Sequence, residues 1–288
     1  MSSNLFAPFD PESDEPRRRR FKPIPIRTLL PNLVTLLSLC LGLTAIRMAV
    51  EAKFELAIVA ILVAAVLDGI DGRIARFLQS TSRFGAQLDS LADFVNFGVA
   101  PVLVLYFWGL SSMRSLGWIA VLVFAICMSL RLARFNVMLD DPQKPPYAGN
   151  FFVGVPAPAG ALIVMLPVYL ELIGLPHTFA TAVLALIYVF GVALLLVSWI
   201  PTWSGKRVSA RVPREYVLPI LVCVVLFVAL LVSYPWEVLS VGTLAYLSCI
   251  PLAYLQYKKL ARAHLAASSG GMIHPEPETE ERPSGPLN

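Results

Sequence analysis

Four aspartates in one short stretch of the sequence have the spacing of a metal site. Asp68 and Asp71 are three residues apart, and Asp89 and Asp93 are four apart, so each pair lies on one face of a helix. If the two faces meet, the four carboxylates form an all-oxygen site of the kind that Mg²⁺ or Mn²⁺ prefers. Two such ions favour phosphoryl or pyrophosphate chemistry, because paired metals clamp both the attacking and the leaving oxygen.

The composition is that of a polytopic membrane protein. Of the 288 residues, 57% are hydrophobic and only 15% are charged, and the mean hydropathy is +0.71, whereas soluble domains are about 25% charged. A helix needs about 20 apolar residues to cross roughly 30 Å of hydrocarbon. Such stretches predict an all-α membrane bundle of about eight transmembrane helices, at 29–50, 55–76, 85–110, 116–135, 157–175, 179–200, 217–234 and 237–257.

The positive charges predict the orientation of the bundle. An even number of spans leaves both termini on one side, and cytoplasmic loops carry most of the Lys and Arg residues. Of the 23 Lys and Arg residues, all except Arg47, Lys53 and Arg114 fall on the side of the termini. We therefore expect an N-in, C-in protein of the cytoplasmic (inner) membrane.

The aspartates fall at the cytoplasmic ends of the second and third predicted spans. The uncharged stretch 56–67 is too short to cross the hydrocarbon core at about 1.5 Å per residue. The second helix must therefore continue through Asp68 and Asp71, and the third begins before Asp89 for the same reason. A short polar connection makes the two helices antiparallel neighbours. Because an unpaired aspartate costs about 2.5 to 3.5 kcal/mol at mid-bilayer on insertion scales, something must neutralise these carboxylates.

A structural alternative is an interfacial salt-bridge cluster with Arg73, Arg76 and Arg83. Arg73 and Arg76 each follow an aspartate by five residues, toward the cytoplasmic end of the helix and away from the carboxylates. The spacing therefore favours divalent cations. Histidines and cysteines offer no competing site, because no histidine lies inside a predicted span and the cysteines lie singly in different spans.

The residues around the aspartates resemble the motif of the CDP-alcohol phosphotransferase family. They fit the pattern D-x-x-D-G-x-x-A-R, eight residues, then G-x-x-x-D-x-x-x-D without a departure, at Asp68, Asp71, Gly72, Ala75, Arg76, Gly85, Asp89 and Asp93. Within that family, the stretches PNLVTLLSLCLG, FGAQLDSLADFVNFGVAP and LRLARFNV with FFVGVPAPAG resemble the integral-membrane phosphatidylserine synthases.

The resemblance implies a bundle with six catalytic core helices, used as a homodimer, whose polar cavity opens to the cytoplasm and to lipid. It implies two Mg²⁺ or Mn²⁺ ions on the four aspartates, with Asp93 also acting as general base. The implied reaction transfers a phosphatidyl group from CDP-diacylglycerol to L-serine and releases CMP, without a nucleic-acid partner. Residues expected at the CDP-lipid are Gly72, Ala75, Arg76, Gly85, Asn32 and Thr35. For Asn32 and Thr35 the alternative is that they only cap and pack the first helix.

The acceptor site is predicted from the chemistry of serine. Its carboxylate suits a guanidinium, which offers paired donors. Arg131 and Arg134, three apart at the cytoplasmic end of the fourth span, are the candidates, and Asn136 adds a hydrogen bond. The alternative is that both arginines only mark the positive-inside boundary.

The predicted organisation is a disordered acidic and basic arm, the catalytic core, a basic cytoplasmic loop, two additional transmembrane helices and a disordered tail, at 1–27, 28–200, 201–216, 217–257 and 258–288. Three other functions stay open: the same chemistry with inositol phosphate, glycerol 3-phosphate or choline as acceptor, a prenyltransferase, and an ion or proton transporter lined by the acids. Release of CMP from labelled CDP-diacylglycerol separates the transferase from the transporter.

Overall fold

A computed structural model describes residues 26–80, 82–139, 151–198, 201–203 and 214–270. Within these ranges the helices are joined by short turns and loops, and the strands form one antiparallel pair of three residues each, in which Phe152 lies opposite Thr202. The elements, in chain order, are α1 (Ile26–Val50), α2 (Phe54–Phe77), α3 (Arg83–Asp93), a π-helical turn (Phe94–Val99), α4 (Ala100–Trp108), a 3₁₀ turn (Leu110–Met113), α5 (Ser115–Leu139), β1 (Phe151–Val153), α6 (Ala157–Val164), α7 (Leu166–Ile173), α8 (Phe179–Val197), β2 (Pro201–Trp203), α9 (Arg214–Ser233) and α10 (Pro235–Gly270).

The predicted spans all coincide with helical segments, but two of them are not continuous α-helices. The third is divided into α3, the π turn and α4. The fifth is broken at Met165, because Pro167 in the first turn of α7 cannot donate a backbone hydrogen bond to α6.

Six helices of the described chain are long and apolar enough to cross a membrane, at Leu29–Val50, Arg83–Trp108, Ser115–Met138, Phe179–Val197, Glu215–Ser233 and Pro235–Leu255. The other two predicted spans are α2, whose C-terminal half carries four charged residues, and the broken pair α6 and α7. The count of eight and the orientation therefore stay predictions.

Two details of the predicted organisation differ from the structure. The short strands β1 and β2 were not expected in an all-α fold, and β2 falls in the predicted loop 201–216. The predicted tail 258–288 begins as helix, because α10 continues to Gly270 through a stretch rich in Ala and Leu, which are strong helix formers. Most of the predicted N-terminal arm, and the tail after Gly270, lie outside the described residues.

The helices that carry the site are packed by small residues. α1 lies along α2 and also contacts α3, the π turn and α4. Ala45, Ala49, Ala57, Ala60 and Ala64 are buried in α1 and α2, and small side chains let the backbones of membrane helices approach closely. The close approach brings the polar face of α1 against the aspartates of α2.

Candidate active site

Three of the motif aspartates converge at one end of the bundle. Asp68 and Asp71 come from α2 and Asp89 comes from α3, and one carboxylate oxygen of each lies within 4.8 Å of the other two. Asp71 is only 3% exposed, and the other two are half-buried. The prediction that the two helical faces meet in one site is therefore confirmed for these three residues.

The reversal between α2 and α3 depends on local capping. At the end of α2, Gln79 adopts the left-handed conformation with φ of 50°. Its N–H donates to the carbonyl of Arg76 (3.2 Å), and the N–H of Ser80 donates to that of Ala75 (3.0 Å), which closes the helix in a Schellman motif. At the start of α3, the Ser82 hydroxyl accepts from the N–H of Gly85 at 2.9 Å. The turn directs α3 back along the bundle, with Asp89 beside the α2 aspartates.

Asp93 lies against the same cluster, deeper in the bundle. Its carboxyl group lies close enough to that of Asp68 for the two groups to interact. Its Oδ1 atom is buried and has no hydrogen-bond partner among the described residues. A buried acceptor without a donor costs about 1 to 3 kcal/mol, so this oxygen is available for a ligand that the protein itself does not supply.

The carboxylates fit a divalent cation better than a salt-bridge cluster. In the described part of the chain the ion pairs join Arg47 and Lys53 to Glu51, and His177 to Glu171. None joins an arginine to a motif aspartate. Several carboxylate oxygens in one place, none of them paired with a lysine or arginine in a salt bridge within the described residues, form the hard oxygen donor set of Mg²⁺ or Mn²⁺.

Thr35 orients one of the predicted ligands. Its Oγ1 atom lies 2.6 Å from Oδ2 of Asp71, to which it donates a hydrogen bond, and the threonine itself is buried. A fixed hydrogen bond from a neighbouring side chain orients a metal-binding carboxylate. Thr35 was predicted to lie at the CDP-lipid or to pack the first helix, and in the structure its hydroxyl binds the Asp71 carboxylate.

A cleft of about 410 Å³ opens beside the cluster, between α1, α2 and the start of α3. Asp71 and Asp89 lie on its wall. The cleft also brings together every residue predicted at the CDP-lipid, namely Asn32, Thr35, Gly72, Ala75, Arg76 and Gly85.

The two glycines of the motif have different surroundings in this cleft. A Cβ atom on Gly72 would meet no atom within 4 Å, so this glycine borders open space. A Cβ atom on Gly85 would lie 2.9 Å from Oδ1 of Asn32 and 3.1 Å from Oγ of Ser82, so Gly85 allows α3 to pack against α1. Of the two glycines expected at the CDP-lipid, Gly72 is therefore the one that leaves free space in the cleft.

The predicted acceptor residues on α5 have different partners. Arg131 is buried, and its guanidinium is electrostatically attracted to Asp93. Its Nε atom donates to the carbonyl of Val155 at 3.1 Å, and its Cζ atom lies 5.3 Å from the ring centroid of Phe135. Of the predicted pair, Arg131 is the one whose charge interacts with a motif aspartate, Asp93.

The other two predicted acceptor residues hold neighbouring helices. Nη1 of Arg134 donates to the carbonyl of Val197 at the end of α8, at 2.8 Å. Nδ2 of Asn136 donates to Oγ of Ser90, at 3.0 Å. Both side chains thus connect α5 to other elements.

Two polar residues near the site were not predicted. Ser38 and Asn96 are 1% and 0% exposed and are hydrogen-bonded to each other. Their signal in the sequence is a polar side chain within an apolar span, since such residues usually face the bundle interior.

Comparison with known proteins identifies the family. The model of the CDP-alcohol phosphatidyltransferase family matches residues 28–203. The chain belongs to the CDP-alcohol phosphatidyltransferase family. A second model, described as CDP-alcohol phosphatidyltransferase 2, matches residues 215–251, which cover α9 and part of α10. The resemblance inferred from the aspartate motif is therefore confirmed.

Curated members of the family cover most of the chain. A protein of Mycobacterium leprae named CDP-diacylglycerol–serine O-phosphatidyltransferase is 44% identical over 249 residues, which are 86% of this chain and 81% of that protein. A Mycobacterium tuberculosis protein of the same name is 42% identical over 86% of this chain and 85% of its own length. A third, from Helicobacter pylori, is 36% identical over 74% of this chain and 85% of its own length.

Proposed function

We propose that this protein transfers a phosphatidyl group from CDP-diacylglycerol to L-serine, giving phosphatidylserine and CMP. The observation that supports this most directly is the convergence of three motif aspartates beside a cleft lined by all the residues expected at the CDP-lipid. The acceptor is proposed from the relatives, which are named for serine.

The site would hold two divalent cations, Mg²⁺ or Mn²⁺. Asp68, Asp71 and Asp89 would be ligands, and Asp93 would be both ligand and base. When bound, such ions neutralise charge on a diphosphate and on the transition state of phosphoryl transfer. Thr35 holds Asp71 in place for this task through its hydrogen bond of 2.6 Å.

Asp93 would act as the general base. In this role it takes the proton from the serine hydroxyl as the serine oxygen forms a bond to the lipid-side phosphorus. The bond between that phosphorus and the bridging oxygen of the diphosphate breaks, and the electron pair leaves with CMP. The depth of Asp93 in the bundle and its contact with Asp68 suit a base that works in a site shielded from bulk water.

The acceptor carboxylate would be bound by Arg131. Its Nε atom is already used by Val155, which fixes the plane of the guanidinium, while the Nη atoms have no hydrogen bond within the described chain. Arg134 and Asn136 would act from further away, because each is engaged with another helix.

Replacing Arg131 should affect serine more than the lipid substrate. We expect Arg131→Ala to raise the KM for serine by about 10-fold to 100-fold, which corresponds to the loss of a charge-assisted bond of about 1.5 to 3 kcal/mol. The KM for CDP-diacylglycerol should change little. Arg131→Lys should restore only part of the affinity, because an ammonium lacks the planar fork.

Arg134→Ala is the matched comparison, three residues away on the same helix. Its effect on the serine KM should be smaller, since its guanidinium is directed to Val197. An unchanged serine KM in Arg131→Ala would remove this residue from the acceptor site.

The acceptor itself is tested by competition. Purified protein in detergent micelles receives labelled CDP-diacylglycerol with serine, inositol phosphate, glycerol 3-phosphate and choline at equal concentration. Phosphatidylserine should be the main product, with one CMP released per lipid. A different main product would overturn the serine assignment, and no CMP release with any acceptor would favour the transporter.

We also propose the remaining architecture. α2 and the pair α6 and α7 would complete eight spans, with both termini and the cleft on the cytoplasmic side of the inner membrane and the protein assembled as a homodimer. The support is the distribution of Lys and Arg residues and, for the homodimer, the resemblance to the family.

A further inference from the structure

A buried polar contact links three elements beneath the aspartates. Nδ2 of Asn96, in the π turn, donates to Oγ of Ser38 on α1 at 2.8 Å. Oγ of Ser38 in turn donates to the carbonyl of Ala64 on α2 at 2.9 Å. Asn96 and Ser38 are almost completely buried, and buried hydrogen bonds of this kind fix the relative positions of helices.

Each member of this contact lies one helical turn from a residue of the site. The three pairs are Ser38 with Thr35, Ala64 with Asp68, and Asn96 with Asp93. The contact therefore forms a layer directly below the carboxylates. It joins the three segments that carry Thr35, which orients Asp71, the predicted metal ligand Asp68 and the proposed base Asp93.

The π turn connects this layer to the orientation of the Asp93 side chain. The turn begins at Phe94, the residue directly after Asp93. A π turn inserts one residue into the helix and so changes the direction of the side chains on either side; such turns are rare and often occur at functional sites. Whatever holds the turn also sets the direction in which Asp93 points.

Gly42 on α1 completes the layer. A Cβ atom at this position would lie 2.0 Å from Oδ1 of Asn96, so the amide occupies the space that any other side chain would fill. The Oδ1 atom has no hydrogen-bond partner in the described chain. Ser38 and Gly42 thus clamp the Asn96 amide from one helix.

We propose that Asn96 is a positioning residue for the reaction, clamped by Ser38 and Gly42, which holds the π turn so that the carboxylate of Asp93 lies against Asp68. Asn96 does not itself touch substrate. The inference rests on one part of the proposed function, namely that Asp93 takes part in turnover. It does not depend on which alcohol is the acceptor.

The test compares variants of the clamp by steady-state kinetics. Asn96→Ala, Ser38→Ala and Gly42→Ala should each lower kcat by about 10-fold to 100-fold, as expected for a displaced catalytic group. The KM for CDP-diacylglycerol should stay near the wild-type value, because the cleft residues are untouched. Ser38→Thr keeps the hydroxyl and should retain most of the wild-type kcat, whereas the near-isosteric Ser38→Cys should behave like Ser38→Ala.

Two controls match these changes. Thr44→Ala removes an exposed α1 hydroxyl whose one hydrogen bond among the described residues is to the carbonyl of Cys40. Gly191→Ala adds a methyl group in α8 where no atom lies within 4 Å. Both should keep the wild-type kcat.

The measured quantity is the rate of CMP release per molecule of purified, monodisperse protein, with whichever alcohol serves as acceptor. If the acceptor is not serine, the proposed function is overturned, but this test can still be carried out. Wild-type kcat in Asn96→Ala and Ser38→Ala would overturn the inference, even if their melting temperatures fall. An equal loss in Ser38→Thr and Ser38→Ala would overturn it as well, and this comparison decides the matter if Asn96→Ala does not fold.

Discussion

Asp68→Ala, Asp71→Ala and Asp89→Ala are each expected to abolish CMP release while the protein remains folded in the membrane. Each change removes one of the three oxygens that lie within 4.8 Å of one another. The loss of a metal ligand removes several kcal/mol of transition-state stabilisation, which corresponds to a decrease in kcat of about 10³-fold or more. The measurement is turnover of labelled CDP-diacylglycerol by purified protein.

Removal of metal should reproduce this loss in the wild type. Protein treated with EDTA is expected to be inactive and to recover with Mg²⁺ or Mn²⁺, whereas Asp71→Ala should not recover. Glu51→Ala is the matched control. Hydrogen bonds from Lys53 and Arg47 lower the pKa of Glu51, so this variant also loses an ionised carboxylate, but one between α1 and α2 at the end remote from the cluster. Full activity of chelator-treated protein without added metal would refute the metal site.

The site could be predicted from the sequence because its geometry is local. Asp68 and Asp71 share a helical face whatever the rest of the fold does, and Asp89 follows after a connection too short to leave the neighbourhood. The apolar stretches on both sides then require a hairpin. Such constraints depend only on helical periodicity and on the thickness of the bilayer, so they can be evaluated before any tertiary contact is known.

The acceptor side was harder to predict because its contacts are remote in sequence. Arg131 and Arg134 have the same spacing as any pair on one helical face. Their directions are set by carbonyl groups at Val155 and Val197, which belong to later elements. Periodicity places two residues on one face but does not reveal which backbone group will meet them, so the sequence does not distinguish the two arginines.

The interruptions of the helices could not be predicted from the sequence pattern either. An apolar run such as Phe94–Val99 fits an α-helix as well as a π turn. The turn accompanies one buried amide, that of Asn96, which meets a hydroxyl from α1. A single polar residue inside an apolar span was visible in the sequence, but its partner on another helix was not.

Asp93→Asn separates a base from a ligand. The change keeps the shape of the side chain but removes the proton acceptor, so kcat should fall by about 10² to 10⁴, the usual contribution of a general base. Equilibrium binding of CDP-diacylglycerol in the presence of Mg²⁺ should change much less. Both quantities are measured on the same purified variant.

The contact between Asp93 and Asp68 makes this substitution informative. The two carboxyl groups lie close together there, and the amide that replaces the Asp93 carboxylate can donate a hydrogen bond to Asp68, so the side chain should stay in position. A loss of turnover with intact lipid binding would then report the missing proton acceptor. If binding and turnover collapse together, Asp93 is mainly a metal ligand, and the base must be another group that reaches the acceptor hydroxyl.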